Sequence, residues 1–461
     1  MKHPIACAIA TLLLGGCASF SPEGGFDTVT SATRDRLGKD TRIVRNDADV
    51  AALSATIAPL LATPLSVDSA VQVALLNNRG LQATYQRLGL AEADLVEAGR
   101  LQNPRFGFKR THEGSDVLID RSLTINLVNL LTAPLATRIE SRRFDQTRLQ
   151  VADAALKVAA DTRRAYYDAL GAAQQMTYAQ QVSDAAEAGA ELGARMAKVG
   201  NWSVLDMARE QSFHADAVAQ LGHARKDVLV SREKLVRLLG LEHADGFTLP
   251  DRLPDLPDSA IDLKQVDQIA LRERLDIQAG KLQLQATAAS LNLTRSTRFV
   301  NALEVGGVRN SSSGNPPETG YELSLEIPLF DWGTARVAKA ESTYMQGVHQ
   351  LAETAIMARS EARESYGNYR ASYDLARHYR DQVMPLRKRI SDQTMLRYNG
   401  MLSSVFELLA DAREQSGAAR GYIVALKDFW IADSDLQAAL GGRLPSATPS
   451  ATPSAIEGEK K

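Results

Sequence analysis

The apolar positions of this chain change period along its length, and the change occurs twice. Over 67–100 and again over 263–297, apolar residues such as Val71, Leu75, Leu81 and Leu88 recur at helical spacing. A two-stranded stretch follows each time. Leu123, Ile125 and Leu127 alternate with Thr124 and Asn126; Tyr321, Leu323, Leu325, Ile327 and Leu329 alternate with Glu322, Ser324, Glu326 and Pro328. Period-two alternation gives a strand one apolar and one polar face. Partner strands are predicted over 105–111, with Phe106 and Phe108, and over 299–308, with Leu303 and Val305. Helical periodicity returns over 136–199 and 335–397, then, after a Gly-containing turn, over 204–239 and 405–440. Gly240 and Gly441 stand where C-terminal glycine caps belong. At 1.5 Å per residue, each long helix would extend about 100 Å. Pro385, whose counterpart is Ala185, predicts a kink in the second.

The two passes are copies of one another. Leu123-Thr-Ile-Asn-Leu127 returns as Leu323-Ser-Leu-Glu-Ile327, Tyr166 as Tyr366, and Gly200-Asn-Trp-Ser203 as Gly400-Met-Leu-Ser403, all at an offset of 200. Ala74-Leu75 and Leu81-Gln82-Ala83 match Ala270-Leu271 and Ile277-Gln278-Ala279 at an offset of 196. The chain therefore reads as a repeat over 65–241, a Pro-rich connector over 242–262 and a second repeat over 263–441. Its class is α+β: very long helices of coiled-coil kind plus four strands.

Residues 1–16 read as a signal peptide, and Leu14-Gly15-Gly16-Cys17 resembles a lipobox in which Cys17 becomes the lipidated first residue. Residues 17–64 would be a lipidated N-terminal linker, and 442–461, with Ser-Ala-Thr-Pro twice, a disordered tail. An apolar content of 44% excludes wholesale disorder, and a net charge of −2 argues against nucleic acid as a partner. Cys7 and Cys17 are the only cysteines, so no disulfide framework exists. No nucleophile elbow, phosphate cradle or paired metal-ligand spacing occurs, so neither an enzyme nor a cofactor is expected. The export signal, and the lack of other sheet-forming sequence, favour strands that face lipid. Four strands cannot close a barrel, which needs about eight. Copies must therefore pool their strands, and three copies would give a ring with an aqueous lumen.

This arrangement resembles the TolC-like outer-membrane efflux protein family over 65–440. The matching features are the duplication, Tyr321-Glu-Leu-Ser-Leu-Glu-Ile-Pro-Leu-Phe-Asp-Trp-Gly333, Ala270-Leu-Arg-Glu-Arg-Leu-Asp-Ile277, and the Gly200 and Gly400 turns followed by acids. The first repeat departs from the motif, with Leu127-Val128 and Leu130-Leu131-Thr132-Ala133 in the equivalent places. The resemblance implies a homotrimer: a twelve-strand transmembrane barrel, an α-helical periplasmic tunnel, and a tip that docks the periplasmic adaptor of an inner-membrane pump. The lipobox is similar to that of the lipid-anchored branch in the outer membrane. By position, Asp206, Glu407 and Asp411 would ring the periplasmic constriction, although Glu407 stands one place out of the usual spacing and acids are favoured at helix N-termini anyway. Gly200, Asn201, Trp202, Ser203, Gly400, Met401, Leu402 and Ser403 would be the adaptor-docking tips; Trp202, Met401 and Leu402 are read either as exposed docking residues or, equally, as side chains that staple the turns. Met196, Met207, Met395 and Met401 lie near the turns, and thioethers suit Cu(I), though methionine more often fills awkward packing. Two other readings stay open: a pore-free coiled-coil lipoprotein scaffold, and a periplasmic metal-binding protein.

Overall fold

The computed structural model describes residues 19–299, 302–313 and 315–443; the expected signal peptide, Cys17 and the tail beyond Arg443 lie outside them. Two helices, α1 (Asp27–Leu37) and α2 (Asp47–Leu61), occupy part of the stretch read as a linker. Ser21 ties down its start, donating from both N and Oγ to the buried Glu92 carboxylate at 2.6 and 2.5 Å.

Each repeat opens with two helices where periodicity predicts one. α3 (Val67–Asn77) and α4 (Arg79–Ala98) break at Asn78. α7 (Val266–Glu273) and α8 (Leu275–Ser296) break at Arg274. Both break residues leave helical geometry, with ψ of 115° and 132°, while their N–H groups still bond the carbonyls of Ala74 and Ala270. Neither residue is Gly or Pro, so the periodicity runs through the break unmarked. The two breaks stand 196 residues apart, the offset that relates these segments in sequence.

β1 (Arg105–Glu113) and β2 (Asp116–Asn126) form the first hairpin. The long helix α5 (Leu127–Lys198) then starts well before the predicted 136 and runs for 72 residues, with Pro134 inside it. Asn126 accepts at Oδ1 from Asn129 N (3.1 Å), which turns the strand directly into the helix. After α6 (Val204–Leu239), Gly240 takes the left-handed conformation (φ 68°) that the cap requires.

The second hairpin is β3 (Leu303–Ser312) and β4 (Glu318–Leu325). The alternation that runs to Leu329 outlasts β4, because Pro328 has no N–H to give a ladder; the last pairing is Glu326 N to Ala302 O (3.2 Å). Next come α9 (Thr334–His378), a π-helical segment (Tyr379–Val383), α10 (Met384–Asn399) and α11 (Val405–Ala439). The interruption expected at Pro385 thus takes the form of a π turn immediately before it.

The described residues fall into two compact units, one of 19–32, 82–154 and 275–357, the other of 33–81, 155–274 and 358–443. The first holds a four-stranded antiparallel sheet in the order β1-β2-β3-β4. Its central pairing joins the two repeats, Leu123 opposite Gly307 and Ile125 opposite Val305. The register gathers Phe106, Phe108, Leu123, Ile125, Leu303, Val305, Tyr321, Leu323 and Leu325 on one face. The other face carries Gly107, Ser122, Thr124, Glu304, Gly306, Gly320, Glu322 and Ser324, small or polar except for Val308 and Leu118.

The second unit is built around a core of Leu65, Leu76, Leu170, Leu235, Leu239, Tyr369, Phe429 and Leu436. The Pro-rich connector is folded into it: Phe247, Leu253 and Leu256 are buried, Trp430 Nε1 donates to Pro254 O (3.0 Å), and Tyr373 OH donates to Asp258 O (2.8 Å). Each repeat's tyrosine fixes the segment entering its first helix. Tyr166 OH donates to Leu65 O (2.8 Å), and Tyr366 OH accepts from Leu263 N (3.2 Å).

Those tyrosines are 200 residues apart. Beyond them, helix ends Lys198 and Asn399, helix starts Val204 and Val405, and left-handed Gly240 and Gly441 are all 201 apart. The second long helix therefore contains one extra residue. A π turn, with its wider i→i+5 bonding, accommodates one extra residue in an α-helix, and the segment 379–383 lies in the interval that requires it.

Candidate functional site

The two helix-turn-helix tips lie within the second unit, and the offset of 201 sets their true equivalence. At the first turn Gly200 is left-handed (φ 78°), and Ser203 caps α6 by accepting from Asp206 N (3.1 Å). At the second turn Gly400 has φ −81°, and the left-handed residue is Met401 (φ 59°). Ser404, not Ser403, caps α11 by accepting from Glu407 N (3.2 Å). The match of Gly200 with Gly400 is thus one residue out of structural register. The correction puts Asp206 and Glu407 at the same helical position, which removes the apparent misplacement of Glu407.

Both acids serve their own helices. Asp206 accepts from the Ser203 hydroxyl (2.6 Å) and pairs with Arg209 (3.3 Å). Glu407 accepts from the Ser403 hydroxyl. That bond, with help from the Ser404 backbone and Arg397, holds the Glu407 carboxyl below the usual carboxylate range. Glu407, bonded to the Ser404 backbone, completes a capping box; Asp206 occupies the same third helical position but bonds the cap hydroxyl.

Of the two roles open to Trp202, exposed docking residue or staple of the turn, the second holds: it is buried at 8%. Its ring lies 4.5 Å from that of Phe406, joining the two turns, and it packs over Gly193, where a Cβ would come within 2.9 Å of Cζ3. Met401 (93% exposed) and Leu402 (72%) do project outward, and Asn201 is exposed.

Asp411 is buried and equivalent to Glu210, also buried. Glu210 pairs with Arg413, whose guanidinium lies 4.6 Å from the Phe213 ring centroid. Asp411 Oδ2 has no hydrogen-bond partner among the described residues. Sequence reasoning missed Glu210 and Arg413, since a charged pair on a long helix reads as a solvated face; the offset of 201 from Asp411 was the available signal. Met196 and Met207 are half-buried, while Met395 and Met401 are exposed. No group of three or more His, Cys, Asp or Glu among the described residues could hold a metal ion.

In the first unit, the apolar sheet face is uncovered. Tyr321 is 88% exposed, and Phe106, Phe108, Leu123, Leu323 and Leu325 are all exposed. Among the described residues no helix is long and apolar enough to cross a membrane.

No protein-family model matches the chain. It is 21% identical over 313 residues to the cobalt-zinc-cadmium resistance protein CzcC of Cupriavidus metallidurans, covering 65% of this chain and 73% of CzcC. Among solved structures it is similar to the outer membrane protein VceC of Vibrio cholerae (TM-score 0.68, 15% identity, 82% of this chain and 96% of VceC). It is likewise similar to the Campylobacter jejuni CmeC outer membrane channel (TM-score 0.65, 18% identity, 82% of this chain and 85% of CmeC). Duplicated helices and one four-strand sheet from two hairpins give the chain the fold of these outer membrane channels.

Proposed function

We propose that this chain is the outer-membrane channel of a tripartite efflux system, conducting substrates passively from a periplasmic adaptor and an inner-membrane pump to the outside. The observation that carries the reading is the sheet: one face exposed and largely apolar, the other mostly small or polar, with β1 and β4 running in opposite directions at its edges. Open edges in hydrocarbon leave backbone groups unpaired at several kcal/mol each. Pairing β4 of one copy with β1 of the next is antiparallel and continues the ladder, and three copies close a twelve-strand ring wide enough for a lumen. The small polar face suits the concave, water-filled side.

Lipidation at Cys17 would hold the N-terminus at the membrane, and the Ser21–Glu92 clasp anchors the chain four residues later. Asp206, Glu407 and Asp411 are the acids we assign to the periplasmic constriction, with Met401 and Leu402 the outward side chains for the adaptor. Similarity to CzcC makes divalent transition-metal cations the first cargo to test. Purified protein in a planar bilayer should show conductance, larger in Asp206→Asn/Glu407→Gln protein with a loosened tip. Absence of conductance in both would favour the pore-free scaffold.

A further inference from the structure

The motif Pro328-Leu-Phe-Asp-Trp-Gly333 is not explained by a strand or a helix, because it lies between β4 and α9. It is nonetheless a rigid turn. Gly333 is left-handed (φ 73°), and its N–H bonds Asp331 Oδ1 (2.8 Å). A Cβ on Gly333 would sit 2.6 Å from Arg298 O, so the turn is seated against the end of the preceding helical segment. Arg336 Nη2 donates to that same carbonyl (3.0 Å). Trp332 meets Phe299 edge to face at 6.3 Å, and the Arg298 guanidinium lies over Phe299 at 4.1 Å.

What this turn holds outward is apolar. Phe330 is 99% exposed, and Ile327, Leu329 and Trp332 are exposed with it, directly continuing the exposed face of β4. A buttressed turn that presents a bare phenyl ring must gain from something outside the chain. Arg298 has no carboxylate partner among the described residues. An indole and a guanidinium at the end of an apolar strand match the chemistry of a phospholipid headgroup layer: amphipathic rings lodge at the polar boundary, and guanidinium pairs with phosphate. The first repeat lacks the device, since β2 passes directly into α5.

We infer that the Leu329–Gly333 turn and Arg298 form an anchor for anionic glycerophospholipid at the end of the sheet nearer its helices, with Phe330 and Trp332 inserted at the headgroup boundary. This rests on the reading of the sheet as membrane-spanning.

The test uses the full-length protein in phosphatidylcholine vesicles whose acyl chains are brominated close to the headgroup. The chain has 3 tryptophans, so bromine should remove up to about a third of the emission, and Trp332→Phe should abolish that loss. Brominated phosphatidylglycerol, diluted in plain phosphatidylcholine, should quench about twofold more than the same fraction of brominated phosphatidylcholine, and Arg298→Gln should erase the difference. Leu323→Trp in the Trp332→Phe background reports on the sheet itself. Quenching at 323 but not at 332 would overturn the anchor and leave the barrel standing. Quenching at neither would sink both. Equal quenching of Trp332 by the two lipids would overturn the assignment to anionic lipid.

Discussion

The two tips descend from one unit and have diverged in opposite directions. Both keep a serine cap and an acid in the third helical position. The first, however, turns on a glycine, buries Trp202 and closes an ion pair at Glu210. The second turns on Met401, bares Met401 and Leu402, and leaves an oxygen of Asp411 unpaired. What the helix needs in order to start has been kept, because both turns face the same unsatisfied N–H groups. What lies outside that requirement has separated into a half that packs and a half that presents.

The comparison can be broken most forcefully at the aromatic that joins the turns. Trp202→Ala removes a buried ring packed at a tilt against Phe406 and should cost about 3–4 kcal/mol of local stability. Amide exchange across the turns is the measure. Leu402→Ala should leave exchange unchanged, since its side chain touches little. Comparable effects from the two would show that the halves are not specialised.

The paired acids give the next contrast. Glu210→Leu abandons Arg413, and because that guanidinium is about one-third exposed the cost should fall at the low end for a broken buried pair, about 3 kcal/mol. Asp411→Leu at the equivalent position removes an unpartnered carboxylate oxygen and should be neutral or stabilising by about 1 kcal/mol. Chemical denaturation of both variants reads the difference, and a costly Asp411→Leu would reveal a partner for it in the assembled protein.

Further along the same helices, the offset of 201 pairs Arg232 with Asp433. Arg232 is spent on the connector, donating to Ala244 and Phe247 carbonyls. Asp433 faces Arg163, Tyr167 and Gln437, and burial raises its pKa from 3.8 to about 6 against the bond from Gln437 and the pull of Arg163. A folded pKa above the unfolded one gives stability that is present below about pH 4 and lost as pH rises through about 6. Asp433→Asn should therefore stabilise by about 2 kcal/mol at pH 8 and by little at pH 4, read from melting curves at the two pH values. A gain independent of pH would place the effect elsewhere.

How far the chain was readable follows from the same contrast. The return helices were legible nearly to the residue because Ser203, Gly240 and Gly441 are local signals tied to helix ends. The sheet was legible from strict alternation in β2 and β4. Both failures of register have non-local causes: β4 ends where its partner runs out beside Pro328, and a one-residue insertion is absorbed in a π turn, of which Pro385 announces an interruption but not the extra residue. The choice between a docking and a stapling Trp202 was open for a similar reason. Its partner Phe406 comes from the other repeat, and in isolation a tryptophan in a turn fits either role. The pairing of Glu210 with Arg413 likewise needs three dimensions.

The smallest effect tests the insertion itself. If Met401 has inherited the left-handed position of Gly200, it carries a strain that glycine does not, about 1 kcal/mol for a side chain in that conformation. Met401→Gly should then slow amide exchange at the second turn by about fivefold, while Gly400→Ala, at φ −81°, should be tolerated. At the first turn the pattern reverses: Gly200→Ala should speed exchange by a similar factor. If instead Gly400→Ala were the damaging change and Met401→Gly the silent one, the turns would align at an offset of 200. The extra residue in the second helix, and with it the reason for the π turn, would then be gone.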